Sequence, residues 1–300
     1  MSKPTPHKPE ELLELPVVQK VLNDKILLFT CLGLVGGCVG SLAAELPFGL
    51  TNPLIGKYRL GAVVAAAIFA AVATSGIAIG LFLAEGLHRR SPKKILSIML
   101  QALPVGMAAG AIGGGVAELI YGTLPASGFR EYVIRPICWG LMGGLIGAWF
   151  SRVIPNLGLM RGLLSGLFGG VIGGAGFVAL TSIIHVAELG RFLGLGLLGM
   201  ALGLAVSLVE KMFREATLEV IWTPGQSSQL TLGENPISIG GGDDHIRIKG
   251  LKPHSASVVF QDGKIQYIDI KTGKRTDLKN GSKLKIAKVQ LVIHAENTNG

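Results

Sequence analysis

From Phe192 to Val209 the chain reads FLGLGLLGMALGLAVSLV, a run with no charge anywhere in it. A helix of that composition is apolar on every side and has to be buried in a large core or in lipid. Glu210, Lys211, Arg214 and Glu215 then arrive together, and beyond them the hydrophobic period becomes that of strands. This single switch divides the chain into a membrane part and a water-soluble part.

Five further stretches share the first character. A bilayer core is crossed by roughly 20 mostly apolar residues, and Ile26 to Leu46, Leu60 to Ala84, Ile95 to Tyr121, Ile134 to Ser151 and Gly162 to Ile184 all qualify alongside Phe192 to Val209. The fold class expected is therefore an all-α polytopic bundle of about six glycine-rich spans over residues 26–210, after an N-terminal tail, 1–25. About 25 residues with several prolines and acidic groups precede the first span, so it is not read as a signal peptide. The whole chain has 49% hydrophobic residues, 16% charged residues and 44 glycines in 300, which excludes an ordinary soluble enzyme.

The net charge of +9 would suggest nucleic acid in a soluble protein, but the basic residues fall between spans and in the tail. With the N-terminus inside, one side carries Lys3, Lys8, Lys20, Lys25, Arg89, Arg90, Lys93, Lys94, Arg152, Arg161, Lys211 and Arg214, twelve in all. The other side carries five, Lys57, Arg59, Arg130, Arg135 and Arg191. Topology and anionic headgroups explain this bias, which puts both termini in the cytoplasm of a cell membrane protein. Cys31, Cys38 and Cys138 all lie in apolar segments without metal-ligand spacing, and no metal or cofactor is expected.

The spans repeat one design. Offsets of five, eight and twelve residues from Arg135, Arg161, Arg191 and Leu28 all fall on glycine, and from Gln101 they give Gly106, Ala109 and Gly113. Steps of three and four keep such positions on one helix face, a stripe that lets backbones touch where lipid supplies no hydrophobic drive. Tight packing is one reading of the stripes, and a pore or transport path is the other. Glu45, Glu85, Glu118 and Glu188 sit near span ends. Intramembrane carboxylates mark ion routes, but near the interface capping, snorkelling or pairing with an Arg suffices. His185 reads as an interfacial polar residue. The GxGxxG at Gly194, Gly196 and Gly199 lies inside an apolar helix with no strand before it, so it is no dinucleotide site.

After Glu215 come ATLEVIW, SQLTL, PISI, HIRI, ASVVF, KIQYIDI, KLKI and VQLVIH, separated by turn signals such as Pro224-Gly225, Asp262-Gly263 and Asn280-Gly281. They predict a small antiparallel sandwich over 216–296, with a hairpin through Asp262-Gly263. The segments ISIGGGDDHIRI (237–248), LKPHSASVVFQDGKIQYIDI (251–270) and LKNGSKLKIAKVQLVIH (278–294) give this part an order that resembles forkhead-associated (FHA) domains. The resemblance covers Ala216 to Ala295, and the arrangement of spans followed by such a tail is similar to bacterial membrane proteins with a C-terminal FHA domain.

The resemblance implies a phosphothreonine-peptide module whose loops at one end meet the phosphate. Gly240 matches the family glycine and His254 the family histidine that braces the loops. Gly241, however, stands where the phosphate-binding Arg is expected, Leu251 where the Ser is expected, and 271–276 replace the Ser-x-Asn-Gly element. Several charge-assisted bonds, on the order of 1.5 to 3 kcal/mol each, are thereby lost. A basic loop end remains in Arg247, Lys249, Lys252, Lys271, Lys274 and Arg275, suited to acidic protein segments or anionic lipid, or merely to solubility. No nucleophile stands at recognisable spacing from a base, so no enzyme is expected. The expected function is a membrane anchor or sensor-scaffold presenting a cytoplasmic FHA-like module, and the alternative is a channel or transporter regulated by its tail.

Overall fold

The computed structural model describes residues 16–55, 57–88, 95–125, 128–154, 156–184, 186–212, 216–223, 226–242, 244–261 and 263–295. His185, the basic residues at 3, 8, 89, 90, 93, 94 and 214, Glu215 and the Pro224-Gly225 turn lie outside them.

A short helix α1 (Pro16–Asn23) precedes α2 (Lys25–Ile55), α3 (Arg59–His88), α4 (Ile95–Thr123), α5 (Arg135–Phe150), α6 (Leu159–Ile183) and α7 (Ala187–Met212). Among the described residues six helices, α2 to α7, are long and apolar enough to cross a membrane, α5 together with the π-helical turn Arg130–Ile134 that leads into it. The chain is thus a multi-pass helical bundle followed by a small β domain. The largest shift from the expected spans is at the end of α2, which continues beyond Leu46 through Pro47 and Pro53. Pro47 costs the backbone bond to the carbonyl four residues earlier, while Thr51 Oγ1 donates to the Pro47 carbonyl within the same turn.

Neighbours in sequence pack as neighbours in space, and α7 returns to α2, so the helices form a ring that is loosest between α4 and α5. The glycine stripes form its seams. A Cβ on Gly33 would fall on the Gly199 carbonyl oxygen, and one on Gly199 would fall on that of Gly33. Gly143 and Gly166 stand in the same reciprocal relation between α5 and α6. On α6, Gly162, Gly166 and Gly170 meet α5 while Gly169 and Gly173 meet α7, so one helix carries two small-residue faces. Large residues take the outside: Val35, Val39, Leu42 and Leu46 of α2 are exposed at helical spacing, as a lipid-facing surface requires.

Among the described residues the β domain has nine strands: β1 (Ala216–Thr223), β2 (Gln226–Leu232), β3 (Ile237–Gly240), β4 (Ile246–Arg247), β5 (Ala256–Gln261), β6 (Lys264–Asp269), β7 (Arg275–Leu278), β8 (Lys283–Ile286) and β9 (Val289–Ala295). They make two sheets, ordered β2-β1-β9-β8 and β4-β3-β5-β6-β7. Leu218, Val220, Leu291 and Ile293 of the first bury against Ile237, Ile239, Val258 and Ile265 of the second, which makes a sandwich. The expected hairpin is present, with Gln261 opposite Lys264 and Gly263 at a positive φ of 73°. Two details differ from expectation. β3 and β4 run parallel, so the sandwich is not wholly antiparallel. β7 has no counterpart among the expected strands because RTDL buries only Leu278 at a sheet edge, leaving no apolar alternation to read.

Candidate functional site

Bundle and sandwich meet through one edge strand. In the first sheet β2 pairs only with β1, so every second residue would present unpaired backbone groups along its outer edge. The bundle supplies their partners. His88 Nε2, at the end of α3, lies 3.1 Å from the Gln229 carbonyl oxygen. Two residues on, Asn156 Nδ2, in the turn between α5 and α6, donates to the Thr231 carbonyl at 3.1 Å. Asn156 also accepts from the Asn235 amide at 3.1 Å. It sits at φ 61°, a left-handed conformation that Asn tolerates. Ser228 Oγ donates to the His88 carbonyl at 2.7 Å and accepts from Trp222 Nε1 at 3.1 Å.

Beneath this edge lies a buried ion cluster. Lys25 Nζ stands 2.9 Å from Glu85 Oε2 and 2.7 Å from Glu210 Oε2, and the side chains are 10%, 1% and 2% exposed. Glu210 then reaches across the junction, where its Oε1 accepts from Thr231 Oγ1 at 2.9 Å. The first, second and last spans are thus tied to one another and to β2 by the same three charges. In the next layer of the bundle Phe29, Phe82 and Phe150 are fully buried, with ring centroids 5.7 Å apart for Phe29–Phe150 and 4.9 Å for Phe82–Phe150.

At the opposite end of the bundle all six long helices line a cavity of about 580 Å³. Of the carboxylates singled out in the sequence, Glu45 is held there by a two-pronged bond from Arg191, Nε to Oε1 at 2.7 Å and Nη2 to Oε2 at 2.9 Å. Pairing with an Arg accounts for Glu45. Glu188 is 71% exposed and stands 3.8 Å from the same guanidinium. Glu85 belongs to the cluster at the other end. Glu118 lines the cavity, half-buried, and makes no hydrogen bond or ion pair among the described residues. The stripe glycines face neighbouring helices, and the cavity is lined from other positions.

The loop residues singled out in the β domain gather at one end of the second sheet. The Gly241 amide donates to the Lys252 carbonyl at 3.1 Å, and the Ile270 amide to the Ser255 carbonyl at 3.2 Å. These bonds place Gly240, Lys252 and His254 beside the 269–275 turn that carries Lys271, Lys274 and Arg275; Arg247 ends the neighbouring strand β4, and Lys249 lies in the turn after it. The organiser is Asp244, which reading the sequence missed. Buried at 1% exposure, it accepts from the Gly242 and His254 amides and stands 2.9 Å from His254 Nδ1. His254 takes a φ of 48° in this loop. On β6, burial first and the Asp269 carboxylate second push the Tyr267 phenol above its ordinary pKa.

This end lies at the opposite end of β5 from the contact with the bundle. The β5–β6 turn at Gly263 shares a polar groove with Asn156 and Arg161, whereas Ala256, at the other end of β5, pairs with Asp269. Five steps of about 3.3 Å separate Ala256 from Gln261, so the basic loops stand about 17 Å along the strand from that groove. Gly241 is also closed to a side chain, since a Cβ there would fall on the Leu251 carbonyl oxygen. Gly241→Arg is therefore expected not to create phosphothreonine binding and to lower the melting temperature, as thermal denaturation and titration with a phosphothreonine peptide would show.

No protein-family model matches this chain, and neither a curated protein nor a solved structure matches it.

Proposed function

We propose that the chain is a membrane sensor-scaffold that holds an FHA-like binding module on the cytoplasmic side and acts by binding rather than by catalysis. The observation that carries this reading is the junction: β2 is hydrogen-bonded to the ends and turns of the bundle, and Glu210 belongs to both parts. A module held this way follows any rearrangement of the spans. The basic bias of the segments on that side supports a cytoplasmic placement. The FHA likeness is supported by the order of elements: β3 ends in Gly240, His254 closes the loop after β4, the β5–β6 hairpin ends in Asp269, and β8 and β9 follow the Asn280-Gly281 turn.

The partner is an acidic segment of a cytoplasmic protein. Basic loops gathered at one end of the sandwich, at the opposite end of β5 from the contact with the bundle, suit an acidic protein segment, and the missing Arg and Ser argue against phosphothreonine. The inner half of the bundle, filled by Phe29, Phe82 and Phe150, favours a receptor over a conduit. The test is affinity of the full chain in neutral nanodiscs for an acidic peptide, such as a run of Glu and Leu, and for its phosphothreonine counterpart. We expect salt-sensitive binding of the acidic peptide that falls at least tenfold in Lys252→Glu/Lys274→Glu/Arg275→Glu. Binding that requires phosphothreonine, or survives the charge reversals, would contradict the proposal.

A further inference from the structure

The cavity at the end of the bundle remote from the β domain has the size of a small-molecule site, about 580 Å³ against a usual few hundred to a thousand. Its walls are largely apolar and aromatic, and its charges are unequally satisfied. Arg191 is held by Glu45 and stacks over the rings of Phe48 and Phe69, at 5.7 and 5.9 Å. Arg135 donates from Nε to the Tyr121 hydroxyl at 2.8 Å and stands 3.2 Å from Glu131. Both lining guanidinium groups are thus neutralised by carboxylates of their own. Glu118 is left over, a half-buried carboxylate on the cavity wall with no partner among the described residues.

An anion entering here would have to compete with Glu45 and Glu131 for the guanidinium groups, and would meet the charge of Glu118. A cation would supply the missing partner of that charge. The remaining aromatic wall suits the same ligand: Trp139 and Phe177 pack at 5.3 Å between ring centroids, and no cationic side chain of the described residues lies over either. Aromatic faces attract desolvated organic cations.

We propose that this cavity binds an amphipathic organic cation, an ammonium group on an apolar or aromatic body, with Glu118 as its counter-ion and Trp139 and Phe177 as its apolar wall. The site stands whether or not the β domain reads the state of the bundle. Ethidium is a suitable probe, followed by fluorescence anisotropy against the full chain in phosphatidylcholine nanodiscs. Saturable binding is expected, weakened at least tenfold by Glu118→Gln and changed less than twofold by Glu188→Gln, which alters an exposed carboxylate at the same end. Ala117→Phe, which fills the cavity from the same helix without removing the carboxylate, is expected to weaken binding equally, so the proposal does not rest on one variant. Absence of saturable binding, wild-type affinity retained in Glu118→Gln or in Ala117→Phe, or displacement of ethidium by the anionic dye anilinonaphthalene sulfonate would overturn it.

Discussion

Lys25→Met is expected to be among the most destabilising single substitutions in the protein, with a loss of about 3–5 kcal/mol. The ammonium group stands between two carboxylates that are almost wholly buried, and removing it leaves Glu85 and Glu210 facing each other's charge in a medium of low polarity. The damage should extend beyond the bundle, because Glu210 also holds Thr231 of the β domain. Thermal denaturation in detergent micelles would show a large fall in melting temperature. Adding Glu85→Gln and Glu210→Gln to Lys25→Met removes the unpaired charges, and this triple variant should regain most of the loss. A single variant that melts with the wild type would show that the three groups do not interact as described.

Gly33→Leu is expected to have a comparable effect by a different route. Gly33 and Gly199 meet backbone to backbone, and each carbonyl oxygen occupies the place of the other's missing side chain. A flexible neighbour could turn aside, but a helix backbone can yield only by moving the whole helix. Overpacking in ordinary cores costs about 1–3 kcal/mol, and separating α2 from α7 along this seam should reach or exceed the upper figure. Gly33→Ala should be milder and Val35→Leu, on the exposed side of the same helix, close to neutral. The ordering Leu, Ala, control in loss of melting temperature is the check.

The parts of this fold that were legible in the sequence are those written in local pattern. Runs of apolar residues give the six spans, glycine offsets give the seams, and β-branched alternation gives eight of the nine strands. For Glu45 the sequence leaves capping, snorkelling and pairing with an Arg open, and the ion pair with Arg191 is the one the fold uses. The rest depends on contacts between distant residues. Lys25, Glu85 and Glu210 carry no shared motif; the one available signal was that they open the first span and close the second and last, which places them at one depth. Asn156 and Asp244 are single polar residues in loops, and their roles follow from the backbone groups the folded chain leaves for them. β7 is polar on both sides except at Leu278, so no periodicity marks it. The cavity likewise has no linear signature, because each of the six long helices contributes one or a few residues to it.

Coupling of bundle to β domain is tested most directly by electron–electron double resonance on the full chain in nanodiscs. With Cys31, Cys38 and Cys138 replaced by Ala, spin labels are placed at Arg152, in the turn after α5, and at Lys249, in the turn after β4. Bonds from Asn156, His88 and Glu210 to β2 predict a single narrow distance distribution, which broadens when Lys25→Met is introduced. A broad distribution in the parent protein, indifferent to Lys25, would mean that the β domain swings freely from the end of α7 and cannot report on the bundle.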